Sequence, residues 1–460
     1  MTMNRRQALA SLGGLGGLGA LGGLAAGLGT LAPREGRTAG EDYRALVVVW
    51  LDGGNDGHNV LVPTDDASFN EYKAGRGAVA IARERLAALS APVNGRRYGL
   101  HPSLASMVPL YDQGRLAFLA NVGLMERPVS TAALRAGAAE LPPYFGLHAE
   151  QTLLMQGATP FEPVSGWAGR GLEALPAELR HALAGLGADT SEFPTPMALV
   201  EGARTVATRF SNNRQTWMGW GDAASATSGV MLPLNRMQRW QHDNVYATEY
   251  MRSTMRTLGD AAATGVPYDG TAEPAGDFGN SVVSGQLRGL ARVLPKFKQA
   301  GYQRQVFQLV QPYFDTHFDQ LGGYHLSQDS LLTPLGRALT AFDAAVRTAG
   351  LDNNVVTLVM TEFGRTLRPA GSTGSEHGWG NHWWALGGPV AGGTIHGTFP
   401  SLALNGADDL DGTGTLVPTM ASDQVAATVL RWLGVPASAL TTVLPNLANF
   451  TQKSVPLLRP

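Results

Sequence analysis

The stretch VVTLVMTEFGRTLRPAGSTGSEHGWGNHWW, Val355 to Trp384, decides how the chain is read. A β-branched and apolar run ends abruptly at Glu362, and the next twenty positions read as a Gly-rich loop carrying Arg365, Glu376, His377 and His382. An α/β enzyme builds a site this way, at the carboxyl end of a buried strand.

Working outward, two earlier stretches share the design. In VVVWLDGGNDGHN a strand running Leu46 to Leu51 ends at Asp52, and the glycines behind it allow close approach of the backbone to a ligand or form a plain tight turn. In RQVFQLVQPYFDTH a strand over 305–310 ends near Asp315 and His317. Between the second and third strands, Leu335, Leu339, Phe342 and Val346 recur at helical spacing, so 305–360 reads as a βαβ unit. Gln286 to Lys296 has the same spacing, with Leu287, Leu290, Ala291 and Leu294 on one face. Arg115 to Val122 reads as another buried strand, expected beside the first. Arg83 to Leu89 suggests a short helix, as does His148 to Gln156. Glycines from 387 to 397 punctuate short strands, and Ser422 or Asp423 is placed to cap a helix with Val425, Val429 and Trp432 inward, stopped by Gly434 and Pro436. The expectation is an α/β fold, a mostly parallel sheet with helices on both faces, as one domain over 33–460 with a loop-rich insertion at about 123–280.

The chain has 460 residues, 16% of them charged, with a formal net charge of −2. That balance gives no reason to expect nucleic acid or an anionic membrane as a partner. The absence of cysteine excludes disulfides and thiolates, and leaves any metal to His, Asp, Glu and Asn. Residues 1–32 read as a twin-arginine-type signal: Arg5-Arg6 precede a run, Leu12 to Thr30, with nine glycines and no charge. A membrane anchor is the other reading, and so many glycines suit it poorly. The chain is therefore expected in the periplasm or secreted, delivered by the twin-arginine machinery, with no membrane span left after processing. Arg5→Lys with Arg6→Lys is expected to hold a tagged chain inside the cell; normal export of the double variant would exclude that route.

If the three strand ends converge, their carboxylates repel by roughly 4 kcal/mol per pair at about 4 Å and an effective dielectric of 20. Protons or a cation must relieve this; a divalent cation with mixed oxygen and imidazole ligands does so without thiols, and Zn, Mn, Mg or Ca each fit in part. Asp315-Thr316-His317 presents two ligands on one side of a strand end. Arg365 in a Gly-rich loop suits an anionic oxygen of phosphate, sulfate or carboxylate, or else pairs with Glu362 as a structural ion pair. Asp56 and His58 either join the site or only shape their turn, and His382 and His396 read as loop or supporting residues.

In combination, LDGGNDGHNVLVP, QLRGLARVL, FDTHFDQ, TEFGRT, EHGWGNHWWALGGPVAGGTIHGTFP and DQVAATVLRWLGV resemble the large bacterial family of exported proteins of unknown function numbered 1501, over about Leu46 to Phe450. Its members resemble the alkaline phosphatase and sulfatase superfamily, whose two-metal site hydrolyses phosphate and sulfate esters. The resemblance implies Asp52, Asp315, His317, Glu362 and His377 as metal ligands, and places His148 at the family's Ser-His segment as a catalytic candidate beside Arg365. Three departures stand out. Phe363 replaces the histidine of an Asp-His-Gly, Glu376-His377-Gly378 replaces another Asp-His-Gly, and Leu147 replaces the serine, which removes a serine nucleophile there. A hydroxyl such as Ser130 or Thr131, or water, would have to attack instead. The implied function is an exported metal-dependent hydrolase of an anionic small-molecule or polymer ester; the alternative is a non-catalytic binding or assembly protein that keeps the fold and a structural metal.

Overall fold

Eight residues in a row, RALVVVWL, form strand β1 (Arg44–Leu51) with all but the first buried, which requires cover on both faces of the sheet. The computed structural model describes residues 42–158, 165–180, 184–188, 199–203, 208–210, 244, 271–371 and 373–460. The expected signal at 1–32 and much of the expected insertion lie outside these.

The strands used below are, after β1, β2 (Leu116–Gly123), β3 (Gly185–Ala188), β4 (Thr208–Phe210), β5 (Arg304–Gln311), β6 (Val355–Met360), the two-stranded hairpin β7 (Arg365–Ala370) and β8 (Gly374–His377), then β9 (Asn381–Leu386), β10 (Thr394–His396) and β11 (Met420–Ala421). The helices used below are α1 (Asp66–Arg76), α2 (Glu150–Gln156), α3 (Trp167–Glu173), α4 (Val282–Gln299), α5 (Gln328–Thr348) and α6 (Ser422–Leu433). The central sheet runs β10-β2-β9-β6-β1-β5-β3-β4, with β11 also on β2. Every pairing is parallel except the two made by β9.

Alternation along β1 sorts the layers. Val47 and Val49 pack with Leu287, Leu290 and Leu294 of α4 and Leu335, Leu339 and Phe342 of α5. Leu46, Val48 and Trp50 face the other way, onto Trp167 and Leu172 of α3 and Val425, Val429 and Leu430 of α6. Among the described residues no helix is long and apolar enough to cross a membrane.

Several expectations need correction. β2 does not neighbour β1, because β9 and β6 stand between them. The stretch expected as loop after Glu362 instead makes the β7–β8 hairpin and then enters the sheet as β9, whose six residues are all buried. β5, α5 and β6 do form a parallel crossover, but β1 lies between the two strands and pairs with both. Residues 83–89 are a single 3-10 turn followed by a two-residue strand. The α6 cap is Ala421, whose N–H goes to Gln424 Oε1 at 2.9 Å, so Ser422 and Asp423 fall inside the first turn.

Asp423 is 1% exposed, its Oδ2 lacks a hydrogen-bond partner, and burial pushes its carboxyl up to about 7 despite the nearby Arg170 charge. A carboxyl raised in the folded state binds more protons there than in the unfolded chain, so its contribution is full below about pH 4 and is lost as pH rises through about 7. Asp423→Asn is expected to stabilise the protein at pH 8 by up to about 4 kcal/mol, from three pKa units at 1.36 each, and to change little at pH 4. Urea midpoints at both pH values check this; no gain at pH 8 would mean that the native state accommodates the charge.

Candidate functional site

The register sets Trp50 level with Met360 and Leu51 level with Gln311, so the carboxyl ends of β6, β1 and β5 lie side by side. Asp52, Asp315 with His317, and Glu362 leave the sheet there. Gly53 follows Asp52 with φ +111, and a Cβ on it would lie 2.4 Å from the Asp315 backbone nitrogen, so only glycine lets the two loops touch.

Asp315 is the hub. Its Oδ1 lies 3.0 Å from His317 Nε2 and 3.1 Å from His377 Nε2, and those two nitrogens are 3.0 Å apart. Its Oδ2 is 3.3 Å from His148 Nε2. Burial alone would raise the Asp315 carboxyl, but hydrogen bonds from His148 and Arg365, with the Arg365 charge, outweigh it and hold the group far below the ordinary carboxylate range. His377 Nδ1 lies 2.7 Å from the Gly146 carbonyl, which can only accept; the ring proton therefore sits on Nδ1 and leaves a lone pair on Nε2. His317 repeats the pattern, with Nδ1 3.0 Å from Glu376 Oε2. Ligand atoms of His148, Asp315 and His377 all fall within 4.8 Å of one another.

His148 bridges two carboxylates. Its Nδ1 is 3.2 Å from Glu362 Oε1, and hydrogen bonds to Asp315 and then Glu362 raise it to about 9, so the ring is an imidazolium at neutral pH. Glu362 is 1% exposed, and its Oε1 also accepts the Gly53 N–H at 2.8 Å while Thr361 Oγ1 lies 3.0 Å from its Oε2. Burial, then the Glu362 charge, pushes Asp52 up to about 6.

Arg365 does not face the opening. Its guanidinium is fully buried and donates to the carbonyls of Gly54 (2.8 Å), Ser375 (3.0 Å), Gly53 (2.5 Å) and Phe314 (3.2 Å) and to Asp315 Oδ1. Two sequence readings change accordingly: at zero exposure the guanidinium presents no donor to a substrate anion, and the ion pair is with Asp315, not Glu362. The cause is local, since Arg365 opens β7 and points under the Gly53-Gly54 turn. His382 lies in β9, buried, with Nδ1 accepting the Asn121 N–H at 3.2 Å. Asp56 pairs with the buried Arg76 and accepts the His58 N–H at 3.1 Å, so it shapes its turn. Ser130 Oγ caps a helix by accepting the Ala133 N–H at 3.2 Å.

Residues 43–442 match the family described as protein of unknown function (DUF1501). The chain belongs to that family. Among curated proteins none matches. Similar solved structures include the lipoteichoic acid synthase LtaP from Listeria monocytogenes, 9% identical over 90% of this chain and 78% of that one, with a TM-score of 0.31. The PsFucS1 sulfatase from Pseudoalteromonas sp. is 10% identical over 87% and 70%, with a TM-score of 0.30. The phosphonate monoester hydrolase SpPMH from Silicibacter pomeroyi is 10% identical over 86% and 74%, with a TM-score of 0.33. Likenesses this weak carry no argument about the chemistry of this DUF1501 chain, which rests on its own side chains.

Sequence reasoning missed two residues of this DUF1501 site. Glu150 is fully buried in the first turn of α2, its carboxyl is pushed well above the usual range by burial, and its Oε2 accepts the Gly146 N–H at 3.2 Å. It thereby fixes the carbonyl that sets the His377 proton. Thr361, next to Glu362, ties that carboxylate to β1: its Oγ1 lies 2.6 Å from the Leu51 carbonyl and accepts the Asn55 N–H at 3.1 Å. Position within two residues of a named site residue, His148 for Glu150 and Glu362 for Thr361, was the only signal for either.

Proposed function

We propose that this protein is an exported, metal-dependent hydrolase of phosphate or sulfate esters, with Asp315, His317 and His377 as the ligands. One observation carries the reading. Both imidazoles place Nδ1 against an acceptor, Gly146 O and Glu376 Oε2, so that two Nε2 atoms and Asp315 Oδ1 converge at 3.0–3.1 Å. Ligating histidines are typically oriented in this way by a partner at the other ring nitrogen. The residues fit a divalent ion, and two nitrogens with one oxygen suit Zn or Mn better than Mg or Ca.

Such an ion, when bound, polarises the ester oxygen and makes water more acidic. The side chains supply the rest. Asp52, near 6, is the base that takes the proton from the attacking water. His148, held between Asp315 and Glu362, is the acid, and turns one of those two N–H groups to the leaving oxygen. As the bond from phosphorus or sulfur to the water oxygen forms and the bond to the alcohol breaks, the alcohol leaves with the His148 proton. Glu362 and Asp52, both expected as ligands, stand by the imidazolium; a cation already lies between Glu362 and Asp315, so that side needs no second ion. Arg365 braces Asp315 and contacts no substrate. Export is part of this proposal and is supported by the Arg5-Arg6 motif and its glycine-rich run.

A non-catalytic binding protein is the second reading, favoured by Leu147 at the serine position and by an Arg365 turned inward. Protein purified without chelator, analysed for metal and assayed on phosphate and sulfate esters, separates the two. Stoichiometric metal with turnover supports the hydrolase, metal without turnover the binding protein, and correctly folded protein that takes up neither Zn nor Mn defeats the metal centre.

A further inference from the structure

Six of the seven large apolar side chains that remain exposed among the described residues lie on the two loops that deliver the site: Leu141, Tyr144 and Leu147 on one, Tyr313, Phe318 and Tyr324 on the other. Leu147, 56% exposed, precedes His148, and Phe318, 62% exposed, follows His317. Both histidines touch Asp315, so each apolar side chain is one residue from a group at the centre of the site. The seventh, Val282, starts α4 beside the end of β5, where Val283 N donates to Gln311 Oε1 at 3.3 Å. Exposed apolar side chains on the loops that carry a polar centre match the make-up of ligand sites, which combine apolar walls with few polar anchors. Four of the six are aromatic, and the rings of Phe318 and Tyr324 are 6.3 Å apart.

We propose that the site selects esters whose alcohol portion is apolar and ring-bearing, seated on the rim of Leu147 and Phe318, while the polar centre holds the anionic group. This rests on the hydrolase reading for its reaction, and on the rim alone for its selectivity. Arg365 is unavailable as an anion clamp, so the rim contributes a large part of ground-state binding.

The test uses the full chain loaded with Zn or Mn. Inert benzylphosphonate and methylphosphonate are titrated by calorimetry, and benzyl and methyl phosphates, whose alcohols differ little in acidity, are assayed for turnover. Benzylphosphonate is expected to bind at least about tenfold tighter. Phe318→Ser with Leu147→Ser should remove the preference while metal content and melting temperature stay unchanged, because both side chains are exposed. Turnover of both esters with equal phosphonate affinities would overturn the rim and leave the hydrolase standing. Selective binding lost in the double variant, without turnover of either ester, would sustain the rim and overturn the hydrolase.

Discussion

Arg365→Met is expected to leave little folded protein. The guanidinium serves four main-chain carbonyls from three separate segments and one carboxylate, all at zero exposure of its own side chain. Removing it strands buried acceptors, each costing about 1–3 kcal/mol, so the total should exceed about 4 kcal/mol, in the range where single substitutions unfold proteins. Arg365→Lys should recover only part of this, since an ammonium cannot reproduce the planar fork. Soluble yield and urea midpoint are the measurements. A Met variant as stable as the parent would return Arg365 to the role of anion binder that its sequence context suggests.

His377→Ala is expected to reduce bound metal from stoichiometric to below about a tenth, with little direct cost to the fold because the ring is at the site surface. Its side chain is 19% exposed. A bound ion stabilises the native state by mass action, about 4 kcal/mol at a thousandfold excess over Kd. Chelator should therefore lower the melting temperature of the parent and leave that of the variant alone. Glu376→Gln should weaken metal binding about 10- to 100-fold by loosening the His317 ring. Metal retained at full stoichiometry in His377→Ala would mean that the ligand set is wrong.

β1, β5 and β6 were legible because a strand buried on both faces must be apolar throughout, and the change to Asp52, Asp315 and Glu362 marks where each leaves the sheet. What a continuous apolar run does not encode is its partner, so the separation of β2 from β1 was invisible. The run from Asn381 to Leu386 did carry a strand signal, hidden behind the glycines that precede it. Arg365 illustrates another limit: a guanidinium among glycines reads the same whether it points out at a ligand or in at carbonyls, and only burial decides. The charge on His148 depends on Asp315 and Glu362, more than 160 residues away along the chain, and no local pattern contains it.

The antiparallel entry of β9 also bears on how the molecule assembles. A parallel neighbour of β6 would need a crossover, whereas β9 returns from the same edge, and the excursion between them is closed by short-range bonds: Gly364 N to Trp379 O at 2.8 Å and Gly378 N to Gly364 O at 2.7 Å. Contacts of low sequence separation form early because little loop entropy opposes them. The half of the site that carries Glu362, Arg365 and His377 is thus closed on itself along the backbone by local contacts, and pairing of β6 with β1, some three hundred residues away along the chain, joins it to the rest.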